Sequence, residues 1–155
     1  MMSGRFRILR AQVPDKDLAR QAIVEVHGRT LGDTNTLVDF LADPTRYLLL
    51  AIEGDRVVGS LNGYALRPPH RPEPQFLLYE VDVRPECRNQ GAGKALVERF
   101  ILEARAAGAF EVWVVTNQSN AAAMAMHSSC GLHCEHSDDV VLNILLNEGN
   151  ARNRD

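Results

Sequence analysis

Apolar and polar residues follow two different spacings along this chain, and each spacing predicts one kind of element. Short apolar runs bounded by turn residues predict strands at 6–11, 47–53, 56–66, 76–83, 111–115 and 140–146. Apolar residues three or four positions apart predict helices at about 14–32, 33–41, 91–107 and 120–129. Strands interleaved with helices in the second half predict an α/β or α+β layer structure.

Two connections stand out by composition. Gly54-Asp55, between two apolar runs, predicts a hairpin turn. Segment 67–74 contains four prolines, which can join neither a helix nor an interior strand, so it predicts a stiff exposed loop. This loop is either a plain connector or one wall of a substrate cleft.

The composition is that of one globular domain. The chain has 155 residues, of which 45% are hydrophobic and 24% charged. We expect one domain over 1–146 and a polar tail over 147–155. The apolar runs are too short to cross a bilayer, and the N-terminus lacks the apolar core of a secretory signal. We therefore expect no membrane partner and a cytoplasmic location, with the 3 Cys residues reduced.

The charge balance narrows the class of partner. The chain has 17 Lys and Arg residues and 20 Asp and Glu residues, which gives a net charge of -3. Because no basic stripe is present, nucleic-acid binding is not expected. A mildly acidic surface tolerates a cationic substrate.

The strand at 77–83 carries two carboxylates. A period of two puts Leu77, Tyr79, Val81 and Val83 on one face and Leu78, Glu80 and Asp82 on the other. Burying an unpaired charge is costly, so Glu80 and Asp82 should line a cleft or meet cations. The alternative is that this side of the strand simply faces solvent.

A glycine-containing loop follows that strand and leads into an amphipathic helix. It reads Arg88-Asn89-Gln90-Gly91-Ala92-Gly93-Lys94. The first N–H groups of a helix lack partners and its dipole adds positive potential, so a strand, loop and helix N-terminus in this order favour an anion site. The spacing is neither that of the nucleotide P-loop nor that of the dinucleotide fingerprint.

In context, these motifs resemble a known family. Arg88-x-x-Gly91-x-Gly93, behind the Val81-Asp82-Val83 strand, resembles the acyl-coenzyme-A loop of the GNAT acyltransferase superfamily. Asn120-x-x-Ala123, then His127 and Gly131-Leu132, is similar to that family's Asn-x-x-Ala-x-x-x-Tyr-x-x-x-Gly-Phe segment. The resemblance spans 6–146. It implies an α+β fold with a mixed sheet of about six or seven strands, about four helices and a splay between strands 77–83 and 111–115.

Within that superfamily, 66–83 resembles the aminoglycoside 3-N-acetyltransferases. The shared features are the proline loop and Tyr79-Glu80-Val81-Asp82-Val83, although that family has Asp in the place of Glu80. The resemblance implies transfer of acetyl from acetyl-CoA to an aminoglycoside, at the 3-amino group, giving antibiotic resistance. It also leads us to expect a small polycationic amine as partner and a homodimer as a possible assembly.

Alternatives to this activity stay open. The acceptor could be another small amine or a protein amine, or the chain could be a weakly active acyl-CoA-binding regulatory module. No Cys is placed as an acyl nucleophile, which favours direct attack in a ternary complex.

The resemblance also implies which residues bind the coenzyme. The pyrophosphate would meet the amides of 90–94, and the pantetheine arm would pair with the open strand edge. The thioester carbonyl at the end of that arm would lie near the backbone of 81–83, whose N–H groups can stabilise the oxyanion. Asn120 is either a helix N-cap or a pantetheine contact, and both roles can hold together. The coenzyme-binding candidates are therefore Val81, Asp82, Val83, Arg88, Asn89, Gln90, Gly91, Ala92, Gly93, Lys94 and Asn120.

Glu80 and His127 are the catalytic candidates. Glu80 could accept the acceptor's proton as general base, with Asp82 a weaker candidate; a structural or purely substrate-binding carboxylate is the alternative. His127 stands where the family has a Tyr that assists the leaving thiolate, and it could equally be a packed helix histidine.

An acidic stretch precedes the last predicted strand. Glu135, Asp138 and Asp139 could form a carboxylate wall for a polycationic sugar together with Glu80 and Glu73, or a solvated turn. Tyr79 is a further substrate-binding candidate. His and Cys residues also crowd positions 127–136, but zinc-like pair spacing is missing, so no metal is expected.

Overall fold

A computed structural model describes residues 2–146, and the expected tail at 147–155 lies outside the described residues. One sheet runs in the order β1-β2-β3-β4-β5-β6. Its strands are β1 (Met2–Ser3), β2 (Phe6–Arg10), β3 (Arg46–Glu53), β4 (Arg56–Leu66), β5 (Gln75–Val83) and β6 (Glu111–Val114). Neighbours are antiparallel up to β5, and β5 with β6 is parallel, so the sheet is mixed as predicted.

Four α-helices flank this sheet within the described residues. They are α1 (Lys16–Gln21), α2 (Thr34–Ala42), α3 (Ala92–Ala106) and α4 (Ala121–Ser129). A π-helical turn, Ala22–Val26, prolongs α1, and the chain then leaves the helix at Gly28, whose φ is 63°. The first helix therefore ends earlier than the predicted Gly32, because the wider π turn and a left-handed glycine stop it.

Two hydrophobic clusters, one on each face of the sheet, hold the layers together. One face packs against α3 through Leu96, Val97 and Phe100. The other packs against α1 and α2 through residues such as Ala19 and Leu37. Strand β3 contributes to both clusters in alternation, which explains why its sequence is apolar at nearly every position.

The sheet splays between its two parallel strands, as the resemblance implied. Pairing joins only Gln75–Leu78 of β5 to Glu111–Val114 of β6. Strand β5 then continues to Val83 beyond the end of β6. The second half of β5 therefore has an edge without a strand on that side in the described part of the chain.

A β-bulge corrects the predicted faces of β5. Asn62 pairs with Glu80, but the next residue, Gly63, pairs with Leu78, so Tyr79 is the extra residue. Leu78 therefore lies in the same cluster as Val81 rather than on the opposite face. The predicted strict alternation of 77–83 was wrong because one inserted residue shifts every later side chain to the other face.

The predicted strand at 140–146 was also wrong. This segment has no regular structure and lies exposed; Leu142 is 88% and Ile144 80% accessible. Its apolar residues stand at consecutive positions rather than at every second one, so a strand here would have no single apolar face to bury against the sheet. Strand β6, the last strand in the sheet, keeps an open edge among the described residues.

Candidate active site

Helix α3 begins directly behind the end of β5. Gly91 precedes its first residue with φ 93°, and no side chain caps this end. A Cβ added at Gly91 would meet nothing within 4 Å. The amides of 92–94 form the first helical turn, where N–H groups have no partner inside the helix. This end of α3 is therefore open to an anion approaching along the helix axis.

The second glycine of the loop serves packing between helices. A Cβ added at Gly93 would lie 2.8 Å from Met126 Sδ on α4. Gly93 therefore lets α4 approach the first turn of α3 closely. The two motifs that carry the family resemblance are joined at this contact.

The polar side chains around the loop bind the protein itself. The Arg88 guanidinium donates from Nε to the Val83 carbonyl at 3.1 Å and from Nη2 to Asp82 Oδ1 at 3.4 Å. Lys94 Nζ lies 3.9 Å from a carboxylate one turn along, on Glu98. The Val83 N–H donates to Asp82 Oδ1 at 2.8 Å. Any anion site here would thus rest on backbone N–H groups more than on side chains.

Asn89 and Gln90 shape the turn before α3. Asn89 has a φ of 59°, a left-handed conformation that short polar side chains tolerate. Gln90 Nε2 donates to the Glu86 carbonyl at 3.2 Å. These two candidates therefore act on the shape of the loop in this structure.

Glu80 lies at the centre of a polar cluster on the opposite face of the sheet from α3. Asn62 Nδ2 donates to Glu80 Oε1 at 3.1 Å, and Arg29 Nη2 donates to Oε2 at 3.3 Å. His27 Nδ1 faces Oε1 at 3.6 Å. The Glu80 side chain is 25% exposed, so its charge is partly desolvated but balanced by these donors.

Sequence reasoning missed the three partners of Glu80. His27 and Arg29 both fall within the predicted helix at 14–32, where the apolar spacing does not single them out. Asn62 could have been found from the sequence, because β4 pairs antiparallel with β5 and Asn62 is the polar residue of β4 that lies opposite Glu80. The other two depend on the π turn, which leaves no comparable local pattern.

Burial favours the neutral form of His27. Its side chain is 1% exposed, and burial lowers the pKa of the imidazole more than the nearby Glu80 and Asp82 carboxylates raise it. Its Nε2 is buried without a hydrogen-bond partner.

An aromatic group borders the Glu80 cluster. Tyr79, the bulge residue, is 57% exposed, and its ring meets Tyr64 edge-on with centroids 5.8 Å apart. Tyr64 in turn meets Phe40 of α2 at 5.9 Å. Burial raises the pKa of the Tyr64 hydroxyl. The bulge thus puts an exposed ring and a carboxylate side by side, which regular alternation would separate.

Helix α4 carries the other two candidates. The Asn120 side chain accepts from the Ala123 N–H at 3.1 Å, which is the N-cap role. His127 is buried, with Nδ1 unpartnered, and burial lowers the pKa of its imidazole.

The acidic wall is not assembled in this structure. Glu135, Asp138 and Asp139 are exposed in the irregular segment after α4. No hydrogen bond or ion pair joins them to Glu80 within the described residues. The nearby Cys130 and Cys134 are free thiols.

Comparison with known proteins identifies the family of this fold and loop. The chain matches the model of the "Acetyltransferase (GNAT) family" over residues 16–132. The protein belongs to the GNAT family of acetyltransferases. GNAT enzymes use acetyl-CoA, and the matched range contains Glu80, the loop before α3 and His127.

One curated relative of this GNAT chain acts on a protein. It is the [Ribosomal protein bS18]-alanine N-acetyltransferase of Escherichia coli (strain K12), 38% identical over 56 residues. The aligned segment covers 36% of this chain and 38% of that relative, well short of two thirds of its length.

Solved GNAT structures share the fold along almost the whole chain. An aminoglycoside acetyltransferase from an uncultured soil metagenomic sample, in complex with sisomicin, superposes with a TM-score of 0.78 at 22% identity, covering 91% of this chain and 97% of that one. The ribosomal-protein-alanine N-acetyltransferase from Brucella melitensis biovar Abortus 2308 gives 0.68 at 16% identity, covering 89% and 99%. At these identities the likeness shows the fold alone.

Two further findings concern ions and membranes. Residues 2–146 contain no group of three or more His, Cys, Asp or Glu side chains placed to hold a metal ion. Over the same range, the GNAT domain has no helix with the length and apolar character needed to span a membrane.

Proposed function

We propose that this protein acetylates a primary amine of an aminoglycoside, at the 3-amino group, with acetyl-CoA as donor. The observation that carries this proposal is the placement of the half-buried Glu80 carboxylate beside the exposed Tyr79 ring, on the strand that ends at the α3 loop. A cationic sugar needs a carboxylate for its ammonium group and a flat apolar surface for its ring.

The residues around α3 fit the coenzyme. The space beside Gly91 is open, and uncapped N–H groups of a 15-residue helix face it, as a pyrophosphate requires. The edge of β5 beyond β6 can pair with an extended amide-containing arm at Val81, and pairing at Val83 requires the arm to replace the Asp82 and Arg88 side chains that now bind its N–H and carbonyl. The bound coenzyme supplies the thioester; Arg88 and Lys94 contribute positive charge near its phosphates, and Asn120 can contact the arm.

Glu80 handles the proton of the acceptor. A model amine has a pKa of about 10.4, so it arrives as an ammonium ion and must lose a proton before its nitrogen attacks. The carboxylate first binds the ammonium, displacing the Arg29 guanidinium from Oε2, and then accepts that proton. The C–N bond forms as the C–S bond breaks, and acetyl passes directly to nitrogen.

The leaving sulfur needs little assistance. A thiol has a pKa of about 8.5, so its anion is a good leaving group near neutral pH. His127 is neutral and buried, so in this proposal it acts as a hydrogen-bond donor to the sulfur rather than as an imidazolium acid.

The choice of an aminoglycoside follows from the acceptor side of the site. Tyr79 provides the exposed ring and Glu80 provides negative charge for one ammonium group; in this proposal the exposed Glu135, Asp138 and Asp139 bind further ammonium groups of the sugar. Solved aminoglycoside acetyltransferases of the same fold support this choice.

A thiol-release assay with acetyl-CoA tests the proposal against a panel of aminoglycosides, polyamines and amino acids. We expect turnover with aminoglycosides that carry a free 3-amino group and little with 3-N-blocked analogues. Product analysis by NMR then gives the position of the new amide. Silence with every aminoglycoside, while another amine reacts, would refute this acceptor.

The second candidate acceptor is the N-terminal amine of a protein. The 38% identity over 56 residues to the ribosomal-protein enzyme favours it. A peptide with an N-terminal alanine belongs in the same panel, with its N-acetylated form as control. Calorimetry completes the set, since tight acetyl-CoA binding without turnover of any amine would indicate a regulatory module instead.

A further inference from the structure

His27 is a buried titratable side chain at the site for which the proposed reaction has no use. Its imidazole is 1% exposed, and its Nε2 has no hydrogen-bond partner. Burying an imidazole with one unpartnered nitrogen costs free energy, which a favourable polar contact at the other nitrogen can offset. The group that this nitrogen, Nδ1, faces is Glu80.

The π turn is what brings His27 there. The His27 N–H donates to the Ala22 carbonyl at 3.0 Å, five residues back, where an α-helix would reach back four. This extra residue changes the direction in which the end of the helix faces, so that His27 reaches the polar cluster on β5. Turns of this kind are frequently found at functional sites.

The two oxygens of Glu80 have different surroundings. Oε1 faces inward, toward Asn62 at 3.1 Å and His27 at 3.6 Å. Oε2 accepts from Arg29, whose side chain is 46% exposed. The inner oxygen is thus held by groups fixed in the fold, while the outer one meets a side chain that a cationic acceptor can displace.

We propose that His27 is a positioning residue for Glu80: its neutral imidazole presents Nδ1–H to Oε1 and, together with Asn62, aims Oε2 at the acceptor amine. This inference rests on the proposed function. A carboxylate facing Nδ1 favours the tautomer that carries the proton there. At 3.6 Å the contact is longer than a hydrogen bond, and we expect it to shorten when the acceptor draws Arg29 away from Oε2.

Charges around His27 agree with a neutral donor. Glu80 and Asp82 on β5 raise the pKa of the imidazole, Arg29 in the following loop lowers it, and burial lowers it most. Because burial favours the neutral imidazole, it can orient the carboxylate without competing with the substrate ammonium as a cation.

Two conservative variants test the position of the donor. In His27→Asn the amide nitrogen stands near the place of Nδ1, and in His27→Gln it reaches toward the place of Nε2. We expect His27→Asn to keep kcat within about threefold of the wild type and His27→Gln to lose about tenfold or more, since small misplacements of catalytic groups are costly. KM for acetyl-CoA should stay the same in both.

The pH profile adds a readout that a packing role would not move. A carboxylate that loses a donor takes up a proton more readily, so the acid limb of kcat against pH should move to higher pH in His27→Gln and in His27→Leu, but not in His27→Asn. Val26→Ala is the matched control, since Val26 is buried in the same turn and has no polar group. Its acid limb should match the wild type.

The outcomes separate two failures. Equal kcat values and equal acid limbs for His27→Asn and His27→Gln, in a wild-type protein that turns over its acceptor, overturn the role of His27 alone. A wild type that acetylates no amine in the panel overturns the proposed function, and this inference with it.

Discussion

Replacing Gly63 with alanine tests the packing that underlies the bulge in β5. An added Cβ would lie 2.5 Å from Phe100 Cζ, 2.6 Å from its Cε2 and 2.8 Å from the Leu77 carbonyl oxygen. Carbon atoms in contact prefer about 3.5–4.0 Å, so the ring would have to move by about 1 Å.

The surroundings leave that ring no room. Phe100 is fully buried, and its centroid lies 5.4 Å from that of Phe76 and 5.9 Å from that of Tyr47. Overpacking a closed core costs about 1–3 kcal/mol. In a chain of this size, each kcal/mol lost from the free energy of unfolding lowers the melting temperature by about 2–4 °C. We therefore expect the melting temperature of Gly63→Ala to be lower by about 2–12 °C.

Urea unfolding followed by circular dichroism measures this change, with Gly32→Ala as the matched control. Gly32 has nothing within 4 Å of an added Cβ and no left-handed φ. The control should therefore match the wild type or gain about 0.4–1 kcal/mol from a less flexible unfolded chain. A Gly63→Ala protein as stable as the control, with the same m-value, would show that this contact is not close packed.

Four further predictions follow from the site and the exposed segment. Glu80→Gln should lower kcat by about 10²–10⁴-fold with little change in acetyl-CoA affinity, while Glu53→Gln, at a distant ion pair, should leave both unchanged. Gly91→Val should weaken acetyl-CoA binding in calorimetry by about tenfold or more, since it strains a φ of 93° at the open end of α3; unchanged affinity would place the phosphates elsewhere. Leu142→Lys should change the free energy of unfolding by less than about 0.5 kcal/mol, because this side chain is 88% exposed; a large loss would mean that 140–146 pairs with something. Burial lowers the pKa of His127 below 6.5, so the unfolded chain binds a proton first and stability should fall as pH drops through and below 6.5; His127→Leu should flatten that slope in urea titrations at several pH values.

Local patterns predicted most of the architecture. The apolar runs of β3 and β4, the glycine turn between them and the helix that starts behind Gly91 follow from periodicity and backbone chemistry within a few residues. The splay between β5 and β6 came from the family resemblance, and the pairing confirms it.

The features that the sequence did not predict depend on contacts between distant parts of the chain. The bulge at Tyr79 depends on how β4 pairs with β5, where Gly63 of β4 packs closely against Phe100 of α3. The approach of His27 to Glu80 depends on one extra residue in a helical turn. The exposed run at 140–146 has strand composition, but composition does not supply a partner strand.

The inserted residue at Tyr79 has a consequence for sequence change in this part of the chain. Losing one residue from a surface connection shortens it and little else. Losing Tyr79 would leave Leu78 and Glu80 as neighbours opposite Gly63 and Asn62, so the aliphatic and acidic residues beyond it would keep their present faces. A deletion of a single codon between 80 and 83, by contrast, would exchange the aliphatic and acidic sides of the residues that follow it, and would thus be equivalent to several simultaneous substitutions.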